Sequence, residues 1–111
     1  MAIQLEKRAL VVEPSRDLRE LICEILNAQH YRVDSVADAS TIANADKYAV
    51  VIADVPFGET PMHYAHRLRV REHLVLMSAC PEELEETSEF SSLAKPFDRI
   101  TLVDTIARAS A

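Results

Sequence analysis

The segment Tyr48–Val55, YAVVIADV, constrains the fold more than any other stretch of the chain. Its middle, Ala49 to Ala53, is unbroken apolar and rich in β-branched residues. That composition suits a strand buried on both faces, as in a parallel sheet covered by helices. The run ends on a single acid, Asp54, followed by the turn-prone PFGETP. Open α/β sheets gather ligands at the C-terminal ends of their strands, so Asp54 stands where a site is expected.

The rest of the chain reads as the surroundings of that strand. Ala9 to Val12 is a second short apolar run and stops at Glu13-Pro14. Ser15 is a helix cap, with Asp17 favourable in the first turn. Leu18, Leu21, Ile22, Ile25 and Leu26 recur at three- and four-residue steps and predict one apolar helix face, ended by Asn27 to His30. Tyr31 to Val36 is a mixed strand, polar enough for an edge, and Ala39 to Asn44 a short, weak helix. Thr60-Pro61 is a cap followed by proline at the first helical position. It predicts a helix from about Met62 to Arg71 with Tyr64, Ala65 and Leu68 inward. Leu74 to Met77 is a buried strand ending at Ser78. Pro81 opens an acidic helix, EELEETSEF, and Ser92 to Ala94 is a weak strand leading into Lys95-Pro96. Asp98 caps the last helix, whose inward face is expected at Ile100, Val103, Ile106 and Ala107. Five strands alternating with five helices imply parallel pairing and right-handed crossovers. The expected architecture is α/β: a flavodoxin-like, doubly wound, five-stranded parallel sheet of order 2-1-3-4-5 in a three-layer αβα sandwich.

The totals narrow the function. A chain of 111 residues is expected to form a single domain, 1–111. A net charge of −6 opposes the electrostatic footprint of a nucleic-acid binder. No apolar run approaches a membrane span, and MAIQLEKR is not a signal peptide, so a cytoplasmic location is expected. Cys23 and Cys80 suggest no disulfide framework. The single glycine, Gly58, excludes a Walker loop and a dinucleotide fingerprint, which need several.

In such a sheet Glu13, Asp54, Ser78 and Lys95 follow four different strands, and all four strand ends lie on one edge. Sheet geometry therefore brings two acids, a hydroxyl and an ammonium together. The set suits a phosphoryl group. An aspartate carboxylate can attack phosphorus and form an acyl phosphate. Mg²⁺ is commonly held by one or two carboxylates with phosphate oxygens and water, which Glu13 and Asp54 could supply, with the backbone carbonyl of Pro56 as a further ligand. Lys95 would pair with phosphate charge, Ser78 could donate to a phosphate oxygen, and small Ala79 leaves room.

Over almost its whole length the chain resembles the receiver domain of bacterial two-component response regulators. The matching stretches are ALVVEPSRDLRELICEIL, YAVVIADV, LVLMSA and LAKPFD with the helix after it. The resemblance implies that Asp54 is the phosphoacceptor, Ser78 the family's hydroxyl position and Lys95 its phosphate-contacting lysine, with a cis Lys95–Pro96 bond. It also implies Mg²⁺ as cofactor and a histidine kinase or histidine phosphotransfer protein as donor. The fourth and fifth helices would form a surface for a downstream protein, and the chain would be a monomer or homodimer that signals rather than an enzyme. No output domain is expected after Ala111 unless the chain is a fragment of a larger protein, so the effect is expected to pass through protein contacts.

The departures from the family are specific. Its two adjacent acids after the first strand are Glu13 and Pro14 here. Its aromatic switch position is Ser92, and the segments on either side of Ser78 are several residues short. The short segments imply trimmed or partly irregular third and fourth helices, whereas Pro14 and Ser92 favour an alternative, a pseudo-receiver that keeps the fold as a constitutive interaction module without phosphorylation. An aspartate-nucleophile phosphatase is disfavoured, because the position of its second acid is Pro56. His63 and His66, three apart on one helix, read as solvent-side residues, since no third ligand has a telling spacing. His30 and His73 read as loop residues, and Cys80 as a small residue beside the pocket. The five glutamates from Glu82 to Glu89 read as a solvated face that would select a basic partner.

Overall fold

The computed structural model describes residues 7–41, 47–70, 73–80, 82, 84 and 89–110. Five strands are present: β1 (Lys7–Val12), β2 (Tyr31–Val36), β3 (Val50–Asp54), β4 (Leu74–Ser78) and β5 (Ser91–Ala94). All pair in parallel, in the order β2-β1-β3-β4-β5. The helices are α1 (Arg16–Ala28), α2 (Pro61–Leu68) and α3 (Arg99–Ala109), with a 3₁₀ turn at Ala39–Thr41. This is the doubly wound, flavodoxin-like sheet expected from the alternation of apolar runs and amphipathic segments.

The three layers can be read from the two-residue period of the strands. Ala9 and Val11, Val50 and Ile52, and Val75 and Met77 face one core with Ile22, Ile25, Leu26, Leu102 and Ile106 of α1 and α3. Leu10 and Val12, Val51 and Ala53, and Leu74 and Leu76 face the other, with Tyr64 and Ala65 of α2 and Phe90. Both sets are buried, because successive side chains of a strand point to opposite faces and both faces are covered. The hydrophobic effect thus acts on every residue of β3 from Val50 to Ala53, which makes this strand the axis of the sheet.

Local chemistry sets the helix starts. Ser15 accepts from the Leu18 amide, Thr60 from the His63 amide at 3.2 Å, and Asp98 from the Thr101 amide at 2.8 Å. Each satisfies a donor that the first helical turn leaves without an internal partner. The Asp98 carboxyl is held below the ordinary aspartate value by these Thr101 hydrogen bonds.

Several expectations need correction. Leu21 is 48% exposed, so the inner face of α1 is Ile22, Ile25 and Leu26, with Leu18 packed against it. In α3, Ile100 is 73% exposed and Ala107 is exposed; Leu102, Thr105, Ile106 and Ala109 are the buried positions, with Val103 partly buried. Helix α2 ends at Leu68 rather than Arg71, because Arg69 adopts a left-handed backbone (φ 58°) and its amide closes the turn on His66 O at 3.2 Å. Strand β5 begins one residue earlier than expected, at Ser91. The weak helix expected over Ala39–Asn44 is represented by the 3₁₀ turn, and its remaining residues lie outside those described. The acidic helix expected after Pro81 likewise falls outside the described residues, except at 82, 84 and 89.

Candidate functional site

Register brings the polar strand ends together. Val12 pairs with Ala53, so Glu13 and Asp54 stand on the next rung of β1 and β3. Asp54 pairs with Met77 and Ser78 with Ala94, which sets Lys95 one step beyond β4's terminal serine. The ladder carries on through the loops: Glu13 N donates to Val36 O at 3.1 Å, Val55 N to Met77 O at 2.9 Å and Lys95 N to Ser78 O at 2.8 Å. The Lys95–Pro96 peptide is cis, as the resemblance implies.

The Lys95 ammonium lies between two carboxylates. It is 2.7 Å from Asp54 Oδ1 and donates a hydrogen bond to Glu13 Oε1. Burial acts to depress the lysine's pKa, but its hydrogen bonds to Asp54 and Glu13 outweigh that effect and raise it. The cation is therefore secure at neutral pH. The two acids differ in access. Glu13 is 1% exposed, whereas the Asp54 side chain retains 19%. Asp54 is the carboxylate that a reactant in solution could reach.

Glu13 is held from every side. Its Oε2 accepts from the Ser15 amide at 3.1 Å, and its backbone carbonyl accepts from the Arg19 guanidinium at 2.7 Å. Arg19 was not singled out in the sequence. Its only signal is its position one turn after the Ser15 cap, from which a long side chain can reach back across the β1–α1 turn. Ser78, 5% exposed, folds into a local turn: its hydroxyl accepts from the Cys80 amide at 3.0 Å and sits 3.3 Å from the Cys80 carbonyl. The Pro56 carbonyl accepts from the Glu59 amide at 3.1 Å.

A resident Mg²⁺ does not fit this donor set. Pro14 contributes no side-chain oxygen, both Glu13 carboxylate oxygens are engaged, and the Pro56 carbonyl already accepts a hydrogen bond. Among the described residues no group of three or more His, Cys, Asp or Glu is placed to hold a metal ion. His63 and His66 are exposed and pair instead with Glu59 at 3.0 Å and Glu89 at 2.9 Å. Cys23 is half-buried and Cys80 exposed, and both are free thiols. Among the described residues, no helix is long and apolar enough to cross a membrane.

No protein-family model and no curated protein matches the chain. Solved structures do. A response regulator receiver domain protein from Bacillus halodurans superposes with a TM-score of 0.77 at 17% identity, covering 96% of this chain and 99% of that one. The chemotaxis protein CheY4 of Vibrio cholerae gives 0.73 at 20% identity, with 95% and 99% covered. A CheY-like response regulator receiver domain from Methylobacillus flagellatus gives 0.71 at 21%, with 95% and 99% covered. From the sheet order to the full-length superposition, the chain has the fold of the CheY-like response regulator receiver domains.

Proposed function

We propose that the chain, as one domain over residues 1–111, is a receiver-type signalling module in which Asp54 accepts a phosphoryl group from a phosphohistidine. The observation that carries this reading is the pairing of a partly exposed Asp54 with Lys95 at 2.7 Å, on the sheet edge where Ser78 also ends. An Asp54 carboxylate oxygen attacks phosphorus and forms the P–O bond. The P–N bond breaks, and the imidazole keeps its electron pair and takes a proton from water. Lys95 balances the charge on the phosphoryl oxygens, and the Ser78 hydroxyl reaches them once its Cys80 contacts open. The donor is a histidine kinase or histidine phosphotransfer protein, and the module catalyses no turnover of its own. The outcome is a shift in which partner is bound. The acidic stretch 82–89 and α3 serve as the partner surface. Unchanged partner binding after charge reversal at Glu82, Glu85 and Glu86 would remove that surface from the reading.

Intact mass after incubation with a phosphohistidine donor tests the assignment. The expected result is a gain of one phosphoryl group that Asp54→Asn abolishes. A native chain that gains none overturns the reading.

A second reading is favoured by a separate observation, the engagement of both Glu13 oxygens beside Pro14. It is a constitutive interaction module of the same fold, bound by its partner without phosphorylation. The same mass measurement separates the two, and equal partner affinity of the native chain and Asp54→Asn would favour the second.

A further inference from the structure

We infer that this site operates without a resident divalent cation, Lys95 supplying the positive charge that Glu13 and Asp54 require. The inference rests on the grouping of these three side chains. It does not depend on whether Asp54 takes up a phosphoryl group, so the two can fail separately.

Charge and coordination lead to the same point. Two carboxylates converge at the C-terminal edge of β1 and β3, and convergent carboxylates need a counter-charge. One ammonium meets both. Mg²⁺ demands near-octahedral oxygen ligands at about 2.1 Å and gives up its water reluctantly. Each Glu13 oxygen already accepts a hydrogen bond, so such an ion would compete there with Lys95 and the Ser15 amide, and the 1% exposure of Glu13 keeps bulk water from replacing them. Pro14, exposed on the rim, offers no carboxylate in its place. An ion held on Asp54 alone would stand within a few ångströms of the Lys95 ammonium, and like charges at that separation repel. The sequence difference at one position, Pro14, and the ammonium bridge therefore act together: the first removes a ligand and the second competes for those that remain.

The test is a ¹H–¹⁵N NMR titration of the native chain and of Pro14→Asp with MgCl₂, followed by MnCl₂, whose oxygen-ligand preference is similar. For the native chain we expect no saturable shifts at millimolar Mg²⁺ and no selective Mn²⁺ broadening of Glu13, Asp54 and Val55. Pro14→Asp, which adds the absent carboxylate at an exposed position, should show the saturable shifts at millimolar Mg²⁺ that the native chain lacks. Saturable binding by the native chain at Asp54, or Mn²⁺ broadening centred there, overturns the inference. A folded Pro14→Asp that stays silent overturns the role given to Pro14. Should that variant not fold, the Mn²⁺ measurement on the native chain decides the inference by itself.

Discussion

Lys95, just after the last strand, donates to Glu13, just after the first, across 82 residues of sequence. Two other strands, β3 and β4, stand between β1 and β5 in the sheet. A lysine stem is long enough to cross the strand ends, and its ammonium collects Asp54 on the way. The contact ties the two ends of the chain's sheet edge into one electrostatic unit.

Breaking that unit from one side should be costly. Lys95→Met leaves Glu13, 1% exposed, without its cation. Removing one partner of a buried pair costs about 3 kcal/mol or more, because the other charge stays buried and uncompensated. Glu13→Gln combined with Lys95→Met should cost clearly less than the sum of the two single changes. Asp54→Asn should be mild, since Asp54 is partly solvated and Lys95 keeps Glu13. Urea denaturation midpoints of the four variants measure the cycle. Additive costs would show that the pair does not couple.

Stability should fall at alkaline pH for two reasons with the same sign. Lys95 has a pKa raised in the folded state, where its hydrogen bonds to Asp54 and Glu13 overcome the opposing effect of burial. Its contribution is complete below the ordinary lysine value and is lost as pH rises through the higher folded value. Burial pushes the Tyr64 phenol up to about 12, so the unfolded chain ionises first, from about pH 10 upward, and is favoured there. No loss from either group is expected at neutral pH. Urea midpoints from about pH 8 to 11 should decline for the native chain and less steeply for Tyr64→Phe and for Lys95→Met. Equal slopes in all three would remove both groups as the cause.

The fold was legible in the sequence because its strongest signals are short-range. The run Ala49–Ala53 can satisfy its composition only between two covered faces, and the caps Ser15, Thr60 and Asp98 mark where helices start. The site was legible because sheet geometry gathers strand ends whatever lies between them. Helix phase was less so. In α3, Ile100, Val103 and Ile106 form a plausible apolar face, yet Thr105 turns inward, its hydroxyl donating to Thr101 O at 2.7 Å. A threonine that satisfies itself on its own backbone can be buried, and no hydropathy pattern announces it. Nor did the sequence announce that Arg19 would hold the Glu13 carbonyl, a contact set by a flexible side chain rather than by period.

The corrected phase has its own consequence. Leu102 is fully buried between α3 and the sheet, so Leu102→Ala should cost about 2–5 kcal/mol through lost transfer energy and the cavity left behind. Ile100→Ala should stay within about 0.5 kcal/mol, as an exposed substitution does. In α1 the same contrast is expected between Ile22→Ala and Leu21→Ala. Thermal unfolding of the four variants ranks them, and an Ile100→Ala as damaging as Leu102→Ala would restore the face read from sequence alone.

Ser78 offers the most direct separation of architecture from signalling. Its hydroxyl accepts from the Cys80 amide and is itself buried, so the turn after β4 depends on it. Ser78→Ala leaves that amide without its acceptor, a loss of about 0.5–1.5 kcal/mol. Ser78→Thr keeps the hydroxyl and should restore most of it if the added methyl fits beside Ala94, the paired residue on β5. Amide hydrogen exchange at Cys80 reports the turn: fast in Ser78→Ala, slow in the native chain and in Ser78→Thr. If exchange is equal in all three, the hydroxyl does not hold the turn. Its place beside Asp54 and Lys95 would then be explained by chemistry at the sheet edge alone.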